Sequence, residues 1–223
     1  MSFKIAKEIK KLNKHLIKYS TGIEKQVSYS IQSMSDLDTK LAKRVIETDL
    51  ILDQTEIEIE EECLKVMALH QPVAGDLRLI ASVLKINNDL ERIADHAVII
   101  AEESLKLANL KLENKVKPLS DLFELSAHAK LMLRKSMLAF VELDIQVAHD
   151  VIASGHQISD IADTIFKSEL LAIKEDVDTV EQHLHFLKIS RQLQRIADHA
   201  CNIAEDIIFI MKGDIIRHHT HSK

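Results

Sequence analysis

The chain is poor in everything that interrupts a helix. Its 223 residues include four glycines and two prolines, no tryptophan, and only 4% aromatic residues. Folds built from many turns need such residues at short intervals, so this composition leaves long helices with few connections. Cys63 and Cys201 are the only cysteines. Each lies inside a helical pattern and neither has a CxxC partner, which excludes a disulfide framework and reads as core thiols in a reducing compartment. No stretch approaches the roughly 18 apolar residues of a membrane span. The N-terminal MSFKIAKEIKKLNKHL alternates lysine with apolar residues and lacks the unbroken apolar run of a signal peptide. A soluble, cytoplasmic protein is expected. Excess positive charge is missing too. A formal net charge of −6 and a pI near 6.1 argue against a nucleic-acid partner and are compatible with holding cations. Neither a Gly-rich phosphate loop nor a G-x-S-x-G turn is present, so a hydrolase is not expected.

What the chain does contain is a long repeat. LKINNDLERIADHAVIIAEE at residues 84–103 returns as LKISRQLQRIADHACNIAED at residues 187–206, an offset of 103 residues with identity at 13 of 20 positions. A period of that length means two copies of a whole structural unit, and it favours two cores. The apolar spacing and the turn residues predict six helices, over about 3–34, 39–69, 74–110, 119–142, 144–174 and 177–212. Ser35, Asp36 and Asp38 mark the first break, Gln71-Pro72 the second, and Gly213 the last stop. The charged KLENKVKPLSD at 111–121 divides the halves. The expected fold is therefore all-α, two pseudo-symmetric up-down-up three-helix bundles covering residues 1–112 and 113–223. The closing RHHTHSK is expected to be a frayed tail.

Winding the repeat at about 100° per residue gathers Glu91, Asp95 and Glu102 into one stripe, with Ile86, Ile93, Ala97 and Ile100 behind it as the core face. In the second copy Gln194, Asp198 and Glu205 take the same places, backed by Ile189, Ile196, Ala200 and Ile203. On the second helix Asp49, Asp53, Glu56 and Glu60 fall within about 60° of one another. Leu52, Ile59 and Val66 flank them on one side and Leu50, Ile57 and Leu64 on the other. A carboxylate stripe hemmed by two apolar rows is expected to be partly buried, and buried carboxylates need a cation, a basic partner or a proton. The pairs Asp49/Asp53 and Glu91/Asp95 could converge on an all-oxygen site of the kind hard cations prefer. Pairing of the acids with Arg78 or Arg92 is the competing explanation.

The run VIETDLILDQTEIEIEEECLKVMALHQPVAGDLRLIASVLKINNDLERIADHA from Val45 resembles the bacterial PhoU proteins, regulators of phosphate uptake and signalling. The marks are D-xxx-D at Asp49/Asp53, the QPVAxDLR run from Gln71 to Arg78, LKIxxDLERI ahead of Asp95-His96, and RIADHAxNIAE from Arg195 to Glu205. The resemblance covers nearly the whole chain. It implies two three-helix bundles with iron, zinc or similar ions on the acid-xxx-Asp motifs, magnesium or manganese being alternatives. It implies a negative regulator without catalysis, acting on the ATPase subunit of the phosphate ABC transporter and on the phosphate-sensing histidine kinase, as a homo-oligomer. Carried over by position, the metal motifs fall on Asp49, Asp53, Glu91 and Asp95 in the first half and on His156, Asp160, Gln194 and Asp198 in the second. His156 and Gln194 depart from the acids of the family pattern. Two other readings stand beside this one: a carboxylate-bridged di-iron protein of the ferritin-like kind, whose Glu-x-x-His pair occurs nowhere in the chain, and a helical scaffold without metal.

Overall fold

The computed structural model describes residues 3–110 and 116–213, which form six long α-helices. The dividing line between the halves and the histidine-rich tail lie outside the described residues. In order the helices are α1 (Phe3–Asp36), α2 (Thr39–His70), α3 (Ala74–Asn109), α4 (Ser120–Glu142), α5 (Ile145–Glu175) and α6 (Val180–Lys212). A single 3₁₀ turn, Val177–Thr179, precedes α6. The expected helix ends agree to within two or three residues. Helices α1–α3 pack as one antiparallel bundle and α4–α6 as the other, with α3 laid along α6 and a smaller contact between α1 and α4.

The turns show how closely the halves repeat. Leu37 and Leu143 carry positive φ angles of 50° and 52°, so each ends a helix with a non-glycine residue in the left-handed region. The next amide reaches back five residues, Asp38 N to Ser33 O and Asp144 N to Ala139 O, both at 3.0 Å. That is a Schellman closure. The same aspartates then cap the following helices: Asp38 accepts from Lys40 N and Leu41 N, and Asp144 from Gln146 N and Val147 N. Gly213, at φ 78°, closes α6.

The core faces expected for the repeat are all fully buried, from Ile86, Ile93, Ala97 and Ile100 on α3 to Ile189, Ile196, Ala200 and Ile203 on α6. The expectation of two separate cores needs correction. One continuous apolar cluster runs from Ile5 on α1 to Ile210 on α6, because α3 and α6 each present apolar surface to their own bundle and to one another. Both cysteines sit in this packing, where burial pushes their thiols up to about 12. They are inert at neutral pH.

Along the α3–α6 seam runs a polar ladder that obeys the same two-fold relation as the repeat. His199 Nδ1 lies 2.8 Å from Asp89 Oδ1, and in the mirrored place His96 Nδ1 lies 2.8 Å from Gln192 Oε1. Lys188 pairs with Glu103 at 3.6 Å and Lys85 with Asp206 at 3.4 Å. Each of these four residue pairs is the other's image under the 103-residue offset. The two repeat histidines meet near the axis, with ring centroids 5.4 Å apart.

Glu103 is engaged further, since it also bonds His185 Nδ1 and Lys106 Nζ. Burial works against its charged carboxylate, yet hydrogen bonds from Lys106 and His185 and the charges of Lys106 and Lys188 outweigh this and hold its pKa below the ordinary range. A carboxyl depressed in the folded state stabilises above its unfolded pKa, and that contribution is lost as pH falls through the folded value. Glu103→Gln is therefore expected to lower the melting temperature at pH 7 and to flatten its fall on acidification. A melting scan between pH 7 and pH 3 checks this; parallel curves for the two proteins would show that the carboxylate charge contributes nothing.

Candidate functional site

The first-half motif residues do face one groove, between α2 and α3. Asp49, Asp53, Glu56, Glu91 and Asp95 are all part-buried. Asp49 accepts a hydrogen bond of 2.8 Å from Gln26 Nε2, and Glu56 accepts from Asn87 Nδ2 both through its backbone oxygen at 3.0 Å and through Oε1 at 3.4 Å. Burial raises the pKa of Asp49, and repulsion from Asp53 and Asp95 adds to it against the Gln26 bond. Burial likewise raises Glu91, with Asp95, Glu56 and Asp53 pushing the same way and Arg92 opposing. Glu56 is raised by burial and by Glu60 and Asp53. Carboxylates that repel one another across two helices are a cation-seeking arrangement.

The groove has a floor that the motif pattern did not reveal. Tyr19, on α1, is only 2% exposed, and its hydroxyl has no hydrogen-bond partner. Burial raises its pKa, followed by the charges of Glu56, Glu91, Asp53 and Asp49, which places the phenol beneath the acids. Asn87 Oδ1 is also buried without a hydrogen bond, and Glu91 Oε2 is met only by the Arg92 guanidinium at 3.3 Å. The sequence signal was available: Tyr19 and Gln26 stand seven residues apart on the buried face of α1, among Leu12, Leu16, Ile23 and Val27. As the side chains stand, no three metal-ligating groups among the described residues are gathered around one point. The acids line the groove rather than closing on its centre.

Of the two candidate internal cations, one pairs with the acids. Arg92 reaches Glu91 and Asp95, each at 3.3 Å, and Arg195 repeats this with Asp198 at 3.4 Å. Arg78 instead lies against Gly213 at the end of α6, its buried Nε unbonded, because α3 begins where α6 finishes in the antiparallel packing. One flank of the acid stripe also differs from expectation. Leu52, Ile59 and Val66 enter the core, but Leu50, Ile57 and Leu64 remain 75%, 46% and 51% exposed, so the acids are shielded on one side only.

The second-half assignment needs a register correction. The buried positions Ala42, Val45, Leu52 and Ile59 of α2 recur on α5 as Ala148, Val151, Ile158 and Ile165. These pairs, like the Leu37/Leu143 turns, are 106 residues apart, not the 107 that the expected His156 and Asp160 require. One residue is a rotation of about 100°. The positions equivalent to Asp49 and Asp53 are Gly155 and Ser159, while His156 and Asp160 are exposed. Gly155 is the residue that faces α6, since a Cβ there would stand 3.4 Å from Cys201 Sγ. Following the same offsets, Glu56 becomes Ala162, Glu60 becomes Phe166, Tyr19 becomes Leu125, Gln26 becomes Met132 and Glu91 becomes Gln194. Only Asp198 survives. Partial burial raises its carboxyl, with Arg195, His199 and Arg191 pulling it back.

Comparison with known proteins settles the family. A family model described as the PhoU domain matches twice, at residues 16–104 and 122–207. The chain belongs to the PhoU family. It is 32% identical over 213 residues to a phosphate-specific transport system accessory protein PhoU homolog of Pseudomonas aeruginosa, covering 95% of this chain and 86% of that one. Against the homolog from Aquifex aeolicus the identity is 31% over 215 residues and 96% of each chain. The crystal structure of PhoU from Pseudomonas aeruginosa superposes with a TM-score of 0.89 at 30% identity, covering 94% of this chain and 99% of that chain. The PhoU protein from Streptococcus pneumoniae shares the fold, with a TM-score of 0.86 at 23% identity.

Because Asp49 and Glu91 have raised folded pKa values, their ionisation destabilises the metal-free fold above their unfolded pKa, and the cost is relieved as pH falls through the folded value. Asp49→Asn and Glu91→Gln are expected to raise the melting temperature of the metal-free protein at pH 7, with the difference from wild type shrinking toward pH 4. Lower melting temperatures for both would mean that the acids are already compensated.

Proposed function

We propose that this PhoU-family chain is a cytoplasmic, homo-oligomeric regulator of phosphate uptake and of the phosphate-starvation response. In this reading it restrains both by contact, with the ATPase subunit of the phosphate ABC transporter and with the phosphate-sensing histidine kinase, and without catalysis. Metal is held in the first bundle alone. Asp49, Asp53, Glu91 and Asp95 would hold it, with Glu56 beside them. A bound ion would neutralise the repelling acids and take the place of Arg92 at Glu91 Oε2. All-oxygen donors suit magnesium, manganese or ferric iron; the family resemblance adds iron and zinc.

The observation that carries the metal assignment is the contrast between the two grooves. One holds five part-buried carboxylates above an unbonded phenol, with Arg92 paired to two of them, and the equivalent place in the other has a single acid, paired with Arg195. Contact as the mode of action is supported by the accessory-protein names of the relatives and by the exposed row Leu50, Ile57 and Leu64, a spread of apolar surface characteristic of binding faces.

Two measurements test the reading separately. In equilibrium dialysis against manganese, Glu91→Ala/Asp95→Ala is expected to abolish binding while Gln194→Ala/Asp198→Ala retains it; equal losses in the two double variants would refute the one-site assignment. Deleting the gene is expected to leave phosphate-responsive genes switched on in phosphate-rich medium, and normal repression there would sink the regulatory role whatever metal the protein binds.

A further inference from the structure

The loss of acids from the second bundle has left a different kind of site. Between α5 and α6, overlapping the acid-groove position at Ala162 and Gln194 and extending from it toward the start of α6, there is an open cavity of about 460 Å³. That is the size of a small-molecule pocket. Ala162, Phe166, Leu184 and Leu187 form its apolar wall. Phe166 and Leu184 are 53% and 48% exposed, so the wall is open to a ligand and not closed by packing.

The charge has changed sign as well as magnitude. Lys188 and Arg191 both line the cavity. Arg191 stands where α3 has the neutral Asn88, and among the described residues no carboxylate lies within ion-pair distance of it, whereas Lys188 is held by Glu103 at 3.6 Å. Three of the acids that would have neutralised it are replaced by Ala162, Phe166 and Gln194; Asp198, which its charge still reaches, does not line the cavity. Asp163 is the one carboxylate in the lining, and Ser190, Gln192 and Gln194 add neutral hydrogen-bonding groups. An apolar wall beside an unpaired guanidinium fits neither a metal ion nor a bare inorganic anion. A guanidinium offers bidentate hydrogen bonds to a phosphate or carboxylate, and an exposed phenyl ring offers a face for an apolar body.

We propose that the α5–α6 groove binds an organic anion with an apolar body, its anionic group held by Arg191 with Lys188 beside it, and its body laid on Phe166 and Leu184. The inference concerns the second bundle only and stands whether or not the first holds metal. The two bundles of one chain would then have diverged from a common frame into a cation site and an organic-anion site.

The test is calorimetric titration of the metal-free full chain with three probes: 1-naphthyl phosphate, 1-naphthol and inorganic phosphate. Naphthyl phosphate is expected to bind saturably at one site, and the two probes that lack either the charge or the rings at least roughly tenfold more weakly, a hydrogen bond to a charged group being worth about that much. Arg191→Gln and Phe166→Ser should each weaken naphthyl phosphate by a similar factor. Both residues are exposed, so melting temperatures should not move. Asn88→Gln, the matching change in the first bundle, should leave the affinity alone. The proposal is overturned if naphthyl phosphate does not saturate, if inorganic phosphate binds as tightly, or if both groove variants bind like the wild type.

Discussion

Everything in this molecule depends on α3 lying antiparallel against α6. Each of those helices must satisfy two neighbours, the other members of its own bundle and its counterpart across the pseudo-two-fold axis. That double demand accounts for the fully buried isoleucines on both, Ile93 and Ile196 among them. It also explains why the repeat is written most faithfully here. A change on α2 or α5 disturbs one bundle, whereas a change on α3 or α6 disturbs its own bundle, the seam and the ladder partner of its image. The polar ladder adds specificity to the apolar contact. A seam of isoleucine and alanine tolerates sliding, but a shift of one turn would leave Asp89, Glu103 and Asp206 buried without their partners, at a cost of several kcal/mol for each stranded charge.

A shared frame with such a constraint frees the outer helices to diverge. In the first bundle α1 and α2 bring Tyr19, Gln26 and a row of acids to the groove, and the fold tolerates carboxylates that raise one another's pKa. Destabilising groups of this kind persist where they have a task to perform. In the second bundle the same positions carry Leu125, Met132, Gly155, Ser159 and Ala162, and the strain is gone. The backbone is common to both halves, as the matching Leu37 and Leu143 turns show, so the difference in chemistry is carried by side chains alone.

Local features were legible before any coordinates. Helix periodicity, the break at Asp38, the stop at Gly213 and the core faces of the repeat depend on residues within a turn or two of each other, and the structure has them where the pattern puts them. The first-half acids were legible for the same reason, since stripe geometry on one helix follows from spacing. The ladder leaves a trace in the sequence as well. Asp89, His96 and Glu103 recur every seven residues, as do His185, Gln192, His199 and Asp206, and a polar row at that spacing marks a helix face pointed at another helix.

What the sequence by itself determined was the list of helices, the internal symmetry, the family and the acid stripe. Relations between helices were decided only by the tertiary structure. A difference of one residue in the register of α5 turns His156 and Asp160 out to solvent and sets Gly155 against α6, with Ser159, itself exposed, at the position of Asp53. Arg78 meets the end of α6 and not the acids of α2, and Leu50, Ile57 and Leu64 are left uncovered. The physical reason is that helix periodicity reports angle about a helix axis, while a site is made by the rotation and offset of two axes. Those are set by packing contacts distant in sequence, such as Ile158 and Ile165 entering the core of the second bundle.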